Sequence, residues 1–194
     1  MNAVTAAEIL AFWFARPGEA GYGQPRGEWF RKDDGFDDAI RSRFLPSVEA
    51  ALAGQLVHWA ATPDGLLALL ILLDQFPRNL FRGKARAFAG DEQARKLTAK
   101  ALKQGWDKSL LAVEKLFIYL PLEHSESLAD QEHSVRLFTA LAAQHPGCDG
   151  FLDYAGRHHE VIARFGRFPH RNAAFGRVST TDEAVYLAQP GSGF

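Results

Sequence analysis

Apolar residues recur at three- and four-residue spacing along most of the chain, a pattern typical of helices that bury one face. Thr5 and Glu8 form a capping-box pattern in front of the first such run, and a loop rich in glycine and proline follows to about residue 25. The stretch WFRKDDGFDDAIRSRF (29–44) predicts a second helix with acidic residues in its first turn. We expect Pro46 to kink or break that helix, because proline cannot donate a backbone hydrogen bond.

Thr62 and Pro63 mark a clear helix start, as N-cap and first helical residue. The helix that follows is apolar on all sides up to Asp74, so it should lie in the middle of the fold. Later helices are predicted over residues 91–103, 109–120 (ended by Pro121), 126–144 and 149–165, and a capping box at Thr180 and Glu183 opens a short last helix. The sequence therefore predicts an all-α fold, one domain over residues 1–194 with seven to nine helices packed as antiparallel pairs.

The charge balance limits the classes of partner. The chain carries 22 basic and 23 acidic side chains, a net charge of −1, which argues against nucleic acid or an acidic membrane surface. Its only cysteine, Cys148, allows neither an internal disulfide nor a cysteine metal cluster, and is interpreted as a bystander thiol. The first residues lack the pattern of a signal peptide, and the longest aliphatic run, LLALLILL at 66–73, is far shorter than the roughly 20 residues that span a bilayer. We expect a soluble, cytoplasmic protein.

Three polar residues fall on apolar helix faces. His158 lies at the centre of an arc that includes Tyr154 on the 149–165 helix, and Gln131 lies on an apolar face that includes Leu128. Asp74 closes the most hydrophobic helix. Each of these groups needs a partner when it is buried, so they are either structural pins or parts of a site.

Two segments share Phe-Pro followed by Arg-Asn: DQFPRNLFRG (74–83) and GRFPHRNAAFGR (166–177). Proline disfavours the helical conformation of the residue before it, so Phe76 and Phe168 should mark turns where the chain leaves a helix. Asn79 and Asn172 suit such turns because asparagine bonds its own backbone. Internal duplication is a weaker interpretation of the same matches.

The second of these segments is basic, and an acidic segment precedes it. Residues 157–177 carry a local charge of +4 and residues 123–132 a charge of −4. One interpretation is an ion-pair network between the two segments, since arginine pairs carboxylates bidentately. The other is a pocket for a phosphate or carboxylate, lined by arginine, histidine and phenylalanine. The two interpretations are compatible.

The functional interpretation assigns roles to specific residues. Proton transfer has four candidates: His158, His170, Glu126 and His124. The ligand-binding candidates are Arg167, Arg171, Arg78, Asp74, Asn172 and Gln131. The histidines show no HExxH or similar spacing, so we predict neither a metal site nor a cofactor.

Three long segments carry a resemblance to a known family: ILLDQFPRNLFRG (71–83), YLPLEHSESLADQE (119–132) and RHHEVIARFGRFPHRNAAFGR (157–177). With FWF (12–14) and WFRKDDGFD (29–37), they resemble the bacterial proteins labelled domain of unknown function 924. The resemblance implies a tetratricopeptide-like, right-handed helical fold and supplies no activity. The family's motif positions fall on Asp74, Gln75, Arg78, Asn79, His124, Glu126, Gln131, His158, Arg167, His170, Arg171 and Asn172.

Two functions from different classes follow as hypotheses. The first is a pocket that binds a small anion, with acid–base catalysis as an extension that the sequence leaves undecided. The alternative is a non-catalytic, tetratricopeptide-like scaffold that binds a protein or peptide in a helical groove.

Overall fold

The computed structural model of the chain describes residues 4–193, which divide into two compact units. The first unit comprises residues 4–82 and 87–121, and the second comprises residues 83–86 and 122–193. Nine α-helical segments lie within the described residues, or eight when the contiguous run 63–80 is counted once, and none of these residues forms a strand. The all-α prediction is confirmed.

The helices of the first unit begin where local signals place them. They are α1 (Ala6–Phe14), α2 (Asp34–Leu52), α3 (Pro63–Leu70), a π-helical turn (Ile71–Gln75), α4 (Phe76–Leu80), α5 (Asp91–Gln104) and α6 (Ala112–Glu123), whose last residues belong to the second unit. Thr5 and Glu8 make both bonds of the predicted capping box. The Thr62 hydroxyl accepts from the Gly65 N–H, and Gly105 ends α5 at a φ of +67°.

Aromatic rings form much of the core of the first unit. All residues of α3 from Gly65 to Leu70 are buried, and α3 packs against α1 and α5. Trp13 of α1 is fully buried and stacks on Trp29 with ring centroids 5.9 Å apart. The prediction that the apolar helix lies at the centre is confirmed for this unit.

Prolines do not end the helices that contain them, which corrects three expectations. Helix α2 continues through Pro46, and α6 continues through Pro121 to Glu123. Phe76 is helical, with φ −58° and ψ −37°, so the predicted turn at this residue is wrong. The π-helical turn directly before Phe76 adds a residue to the helical turn and makes room for the ring of Pro77. Burial on both sides of Pro46 offsets the one missing hydrogen bond there.

The second unit is built on a helix pair. Helices α7 (Leu128–Gln144) and α8 (Asp149–Phe165) pack against each other, and α9 (Thr181–Leu187) begins with the predicted capping box. Gly166 ends α8 at a φ of +68°, a left-handed conformation that glycine adopts without strain. Phe168 is extended, with ψ 108°, and a 3₁₀ turn (Pro169–Arg171) follows, so the predicted turn at Phe168 is confirmed.

The residues predicted at the centres of the apolar faces of α7 and α8 are buried. Gln131 is fully buried and His158 is 4% exposed, as predicted. Tyr154 and Leu128 are 52% and 44% exposed, so their predicted inward orientation is wrong. Leu128 is the first residue of α7. The Arg157 guanidinium lies 5.4 Å from the centroid of the Tyr154 ring. Both side chains therefore lie at the margin of the packed face.

No helix within residues 4–193 combines the length and the hydrophobicity needed to cross a membrane. The tetratricopeptide-like superhelix and the single domain concern the arrangement of the whole chain, and they stay predictions.

Candidate functional site

Several contacts of polar residues in the second unit are made to Phe168, through its backbone and its ring. Its side chain is fully buried, and its backbone is extended between the end of α8 and the 3₁₀ turn. The Phe168 N–H donates to Glu126 Oε1 at 2.8 Å, and the Phe168 carbonyl accepts from Arg177 Nη2 at 3.2 Å. The acidic and basic segments thus meet at the backbone of this turn.

Glu126 and Arg177 form a bidentate ion pair across the same turn. Arg177 Nη1 donates to Oε2 at 2.8 Å and Nη2 donates to Oε1 at 2.9 Å. Burial raises the pKa of Glu126, but the hydrogen bonds from Arg177 and from the Phe168 N–H outweigh it, so the pKa lies below its ordinary value. Glu126 is therefore ionised at neutral pH and anchors the turn. Sequence reasoning counted the charge of Arg177 but left it out of the site.

His158 is held in one tautomer. Its Nδ1 lies 2.9 Å from the Tyr154 carbonyl oxygen and 3.1 Å from Glu123 Oε1. Because a carbonyl oxygen can only accept, Nδ1 carries the hydrogen, and Nε2 of the neutral ring carries the lone pair. Burial and the nearby His124 lower the pKa of His158 to about 3, so the ring is neutral at neutral pH. Glu123, which is 3% exposed, was missed as a site residue because no helical pattern pairs it with His158.

Three side chains border the Phe168 ring and a fourth borders His158, and we call these four the histidine–arginine cluster: His158, His170, Arg171 and His124. The His158 and His170 rings each lie 5.5 Å from Phe168, and the His124 ring lies 6.3 Å from His158. The Arg171 guanidinium stacks 4.4 Å above the Phe168 ring and is 6% exposed as a residue. Guanidinium and imidazole groups are the side chains that proteins use to bind anions and to transfer protons.

Arg167 and Asn172 belong to a second network, centred on Glu183. Arg167 binds this carboxylate bidentately at 2.6 and 2.7 Å and donates to the Val178 carbonyl at 3.0 Å. Asn172 Nδ2 donates to Glu183 Oε2 at 3.2 Å. The hydrogen bonds from Arg167 lower the pKa of Glu183 to about 2. These residues fix the start of α9, so the structure gives Arg167 and Asn172 a structural role. The capping box had located Glu183 without revealing its 2% exposure.

Gln131 holds the end of α6. Its Nε2 donates to the carbonyl oxygens of Glu123 at 2.5 Å and Ser125 at 2.7 Å. Gln131 therefore positions the backbone of Glu123, whose side chain contacts His158. This arrangement agrees with the structural-pin interpretation of Gln131.

Asp74 and Arg78 form a network within the first unit. Arg78 binds Asp91 bidentately at 2.9 and 3.1 Å and lies 3.2 Å from Asp74 Oδ1. Asp74 also accepts from Gln75 Nε2 at 2.5 Å. With two carboxylates at its guanidinium, Arg78 is a structural residue by its geometry, and the predicted ligand role has no support from its contacts.

Metal and thiol chemistry find little support. Within the described part of the chain, no group of three or more histidine, cysteine, aspartate or glutamate side chains is arranged to hold a metal ion. Cys148 is buried, and burial raises the pKa of its thiol, which keeps it protonated and unreactive.

A surface cavity of about 480 Å³ in the second unit is lined by Arg164, Phe165, Arg167, Thr180, Asp182 and Glu183, and by none of the cluster residues.

A family model described as a bacterial protein of unknown function (DUF924) matches residues 9–191. The chain belongs to this family. It is also similar to the solved structure of a protein of unknown function, ATU0120 from Agrobacterium tumefaciens, with 37% sequence identity and a TM-score of 0.83. That match covers 94% of this chain and 96% of the other. No curated protein matches the sequence.

The predicted site residues of this DUF924 protein fall into separate groups. His158, His170 and Arg171 come together around Phe168, His124 lies beside His158, and Glu126 binds the Phe168 backbone as an anchor. Arg167 and Asn172 belong to the Glu183 network, Gln131 supports Glu123, and Asp74 and Arg78 lie in the first unit. The histidine–arginine cluster is the part of the prediction that retains the chemistry of a site.

Proposed function

We propose that the second unit binds a small anion, a phosphate or a carboxylate, at the histidine–arginine cluster. One observation carries this proposal: a buried guanidinium, that of Arg171, lies over the Phe168 ring among three histidines. Two other arginines of the same segment bind carboxylates, since Arg177 binds Glu126 and Arg167 binds Glu183. The ion-pair interpretation and the anion-binding proposal are therefore compatible in this segment.

Each member of the cluster has a distinct role in the proposal. Arg171 supplies the positive charge and a planar set of donors that matches carboxylate or phosphate oxygens. His124 and His170, which are half-buried, supply further donors at the edge of the cluster. His158 contributes a neutral imidazole held by its Nδ1, and its pKa of about 3 makes it a weak base at neutral pH. Glu126, a candidate for proton transfer in the sequence, serves here as the anchor of the turn.

The peptide-binding alternative has an observation of its own. Apolar side chains are exposed on the second unit: Tyr154 at 52%, Val178 at 88% and Val185 at 57%. Exposed apolar residues are common on single proteins, so they favour this alternative less than the buried cluster favours anion binding.

Titration calorimetry of the purified protein tests the proposal, with phosphate, sulfate, acetate, glycolate and a nucleotide as probes. Arg171→Met keeps the alkyl stem over Phe168 and removes the charge, and Arg157→Met is the matched control on the exposed side of α8. We expect saturable binding of at least one anion by the wild type and the control, and a loss of at least about tenfold in affinity in Arg171→Met.

Circular dichroism establishes that Arg171→Met is folded before its affinity is compared. Equal affinity in the folded variant and the wild type would contradict the role of Arg171. Absence of binding by the wild type to every probe would contradict the function itself.

A further inference from the structure

The surface cavity of about 480 Å³ in the second unit shares no lining residue with the histidine–arginine cluster. Its lining side chains come from residues 164–167, at the end of α8, and from residues 180–183, at the start of α9. The volume falls within the range of about 300–1,000 Å³ that is typical of small-molecule sites. The cavity is therefore large enough for a small ligand of its own.

Hydrogen bonds hold the two walls of this cavity together. Arg167 binds the Glu183 carboxylate at 2.6 and 2.7 Å, which joins the chain after α8 to α9. The Thr180 hydroxyl accepts from the Glu183 N–H at 3.2 Å, and the Glu183 carboxylate accepts from the Thr180 N–H at 2.8 Å. A ligand in the cavity therefore meets side chains that project from a fixed backbone, which lowers the cost of ordering the site on binding.

Phe165 gives the cavity an apolar surface. Its ring is half-buried, packs against the buried apolar core of the second unit, and lies 5.3 Å from the Tyr186 ring between centroids. The Arg164 guanidinium lies 4.6 Å from the centroid of the Phe165 ring. This cation–π contact places a positive charge beside the apolar surface.

The four charged side chains that line the cavity differ in their pairing. Arg167 and Glu183 neutralise each other in their bidentate ion pair. Arg164 and Asp182 are exposed, and neither forms an ion pair with any residue in the part of the chain that the structure describes. The cavity therefore offers one cation and one anion to a ligand.

We propose that this cavity binds the zwitterion of a free α-amino acid with an apolar side chain. The carboxylate of the ligand pairs with Arg164, whose planar donors match its two oxygens. The ammonium group of the ligand donates to the Asp182 carboxylate, and the apolar side chain packs on Phe165. A ligand with a single charge satisfies only one of the two charged side chains. This site is independent of the anion site proposed for the histidine–arginine cluster.

Titration calorimetry of the full chain tests the inference, with L-phenylalanine and L-leucine as amino acid probes. Hydrocinnamate is phenylalanine without its ammonium group, and phenethylamine is phenylalanine without its carboxylate. We expect saturable binding of phenylalanine, and affinities at least about tenfold lower for both analogues, because each loses one charged contact. An analogue that binds as tightly as phenylalanine would overturn the inference. Absence of saturable binding of either amino acid up to about 10 mM would also overturn it.

Two variants assign the charged contacts. Arg164→Met removes the charge and keeps an alkyl stem over Phe165, and Asp182→Asn removes the other charge with little change of shape. Each should weaken phenylalanine binding at least about tenfold, whereas Arg164→Met should leave the affinity for phenethylamine unchanged. The matched controls are Arg157→Met and Asp153→Asn, which are exposed on α8 outside the cavity and should bind phenylalanine like the wild type. Unchanged affinity for phenylalanine in Arg164→Met or Asp182→Asn would overturn the inference.

Discussion

The Glu126–Arg177 pair offers a quantitative test of how the Phe168 turn is held. Glu126 accepts three hydrogen bonds of 2.8 to 2.9 Å, one from the Phe168 N–H and two from Arg177. Hydrogen bonds to charged groups contribute about 1.5–3 kcal/mol each when buried. The two side chains are 30% and 23% exposed, so solvent reduces this contribution. We expect a coupling free energy between Glu126 and Arg177 of about 1–3 kcal/mol.

A double-mutant cycle measures this coupling directly. Urea unfolding, followed by far-ultraviolet circular dichroism, gives the free energy of unfolding of the wild type, Glu126→Gln, Arg177→Gln and the double variant. The Glu92–Lys96 pair is the matched control, because it is also an ion pair but its side chains are 70% and 72% exposed. Its coupling should be about 0.3–0.5 kcal/mol.

A coupling in the first cycle no larger than in the control would refute the anchoring role of Glu126. In that case the carboxylate would return as a candidate for proton transfer. All four tryptophans of the chain lie in the first unit, so tryptophan fluorescence reports the unfolding of that unit alone. Comparison with circular dichroism then shows whether the Glu126 variants act on the second unit, as the contacts require.

Two further predictions concern the support of His158. Gln131→Met should destabilise the protein by about 2–4 kcal/mol, because two buried carbonyl groups lose their donor. The control Gln144→Met, on the exposed end of α7, should change the unfolding free energy by less than about 0.5 kcal/mol in the same urea assay. Stability should also fall on acidification, because the pKa of His158 is about 3 in the folded state and about 6.5 in the unfolded chain, which therefore binds a proton first. This contribution to the unfolding free energy is complete above pH 6.5 and declines by about 2 kcal/mol down to pH 5. The variant His158→Phe should lack this part of the pH dependence. An equal decline in the wild type and the variant would contradict the buried neutral ring.

Local signals in the sequence predicted the helices well where the decisive contacts are local. Both capping boxes, the N-cap Thr62 and the glycine that ends α8 depend on residues three or four positions apart. The prolines at positions 46, 77 and 121 were misinterpreted because burial on both sides, or a π-helical turn, overrides the local preference. These effects depend on packing, which no short window of sequence contains.

The choice of ion-pair partners was also beyond the sequence. The opposite charges of residues 123–132 and 157–177 predicted a network, and Glu126 with Arg177 confirms it in part. Arg167, however, pairs with Glu183, which lies outside the acidic segment. Arg167 and Arg171 are four residues apart but lie on either side of an extended residue, so they face different partners. On a regular helix the same spacing would have placed them together.

The two Phe-Pro segments differ in backbone conformation yet use a common device. Asn79 Nδ2 and Arg82 both bind the buried carboxylate of Asp37, with Asn79 at 2.7 Å, while Asn172 Nδ2 and Arg167 both bind Glu183. In each segment an asparagine and an arginine thus hold one acid that lies outside the segment.

The two segments differ in the surroundings of the arginine that precedes each asparagine, Arg78 and Arg171. Arg78 is neutralised by Asp91, which binds it at 2.9 and 3.1 Å. The Arg171 guanidinium lies 4.4 Å from the centroid of the Phe168 ring, and its charge helps to lower the pKa of Glu126. Matching positions in the two segments therefore hold arginines with different surroundings, because Arg78 is bound by the Asp91 carboxylate and Arg171 stacks on the Phe168 ring.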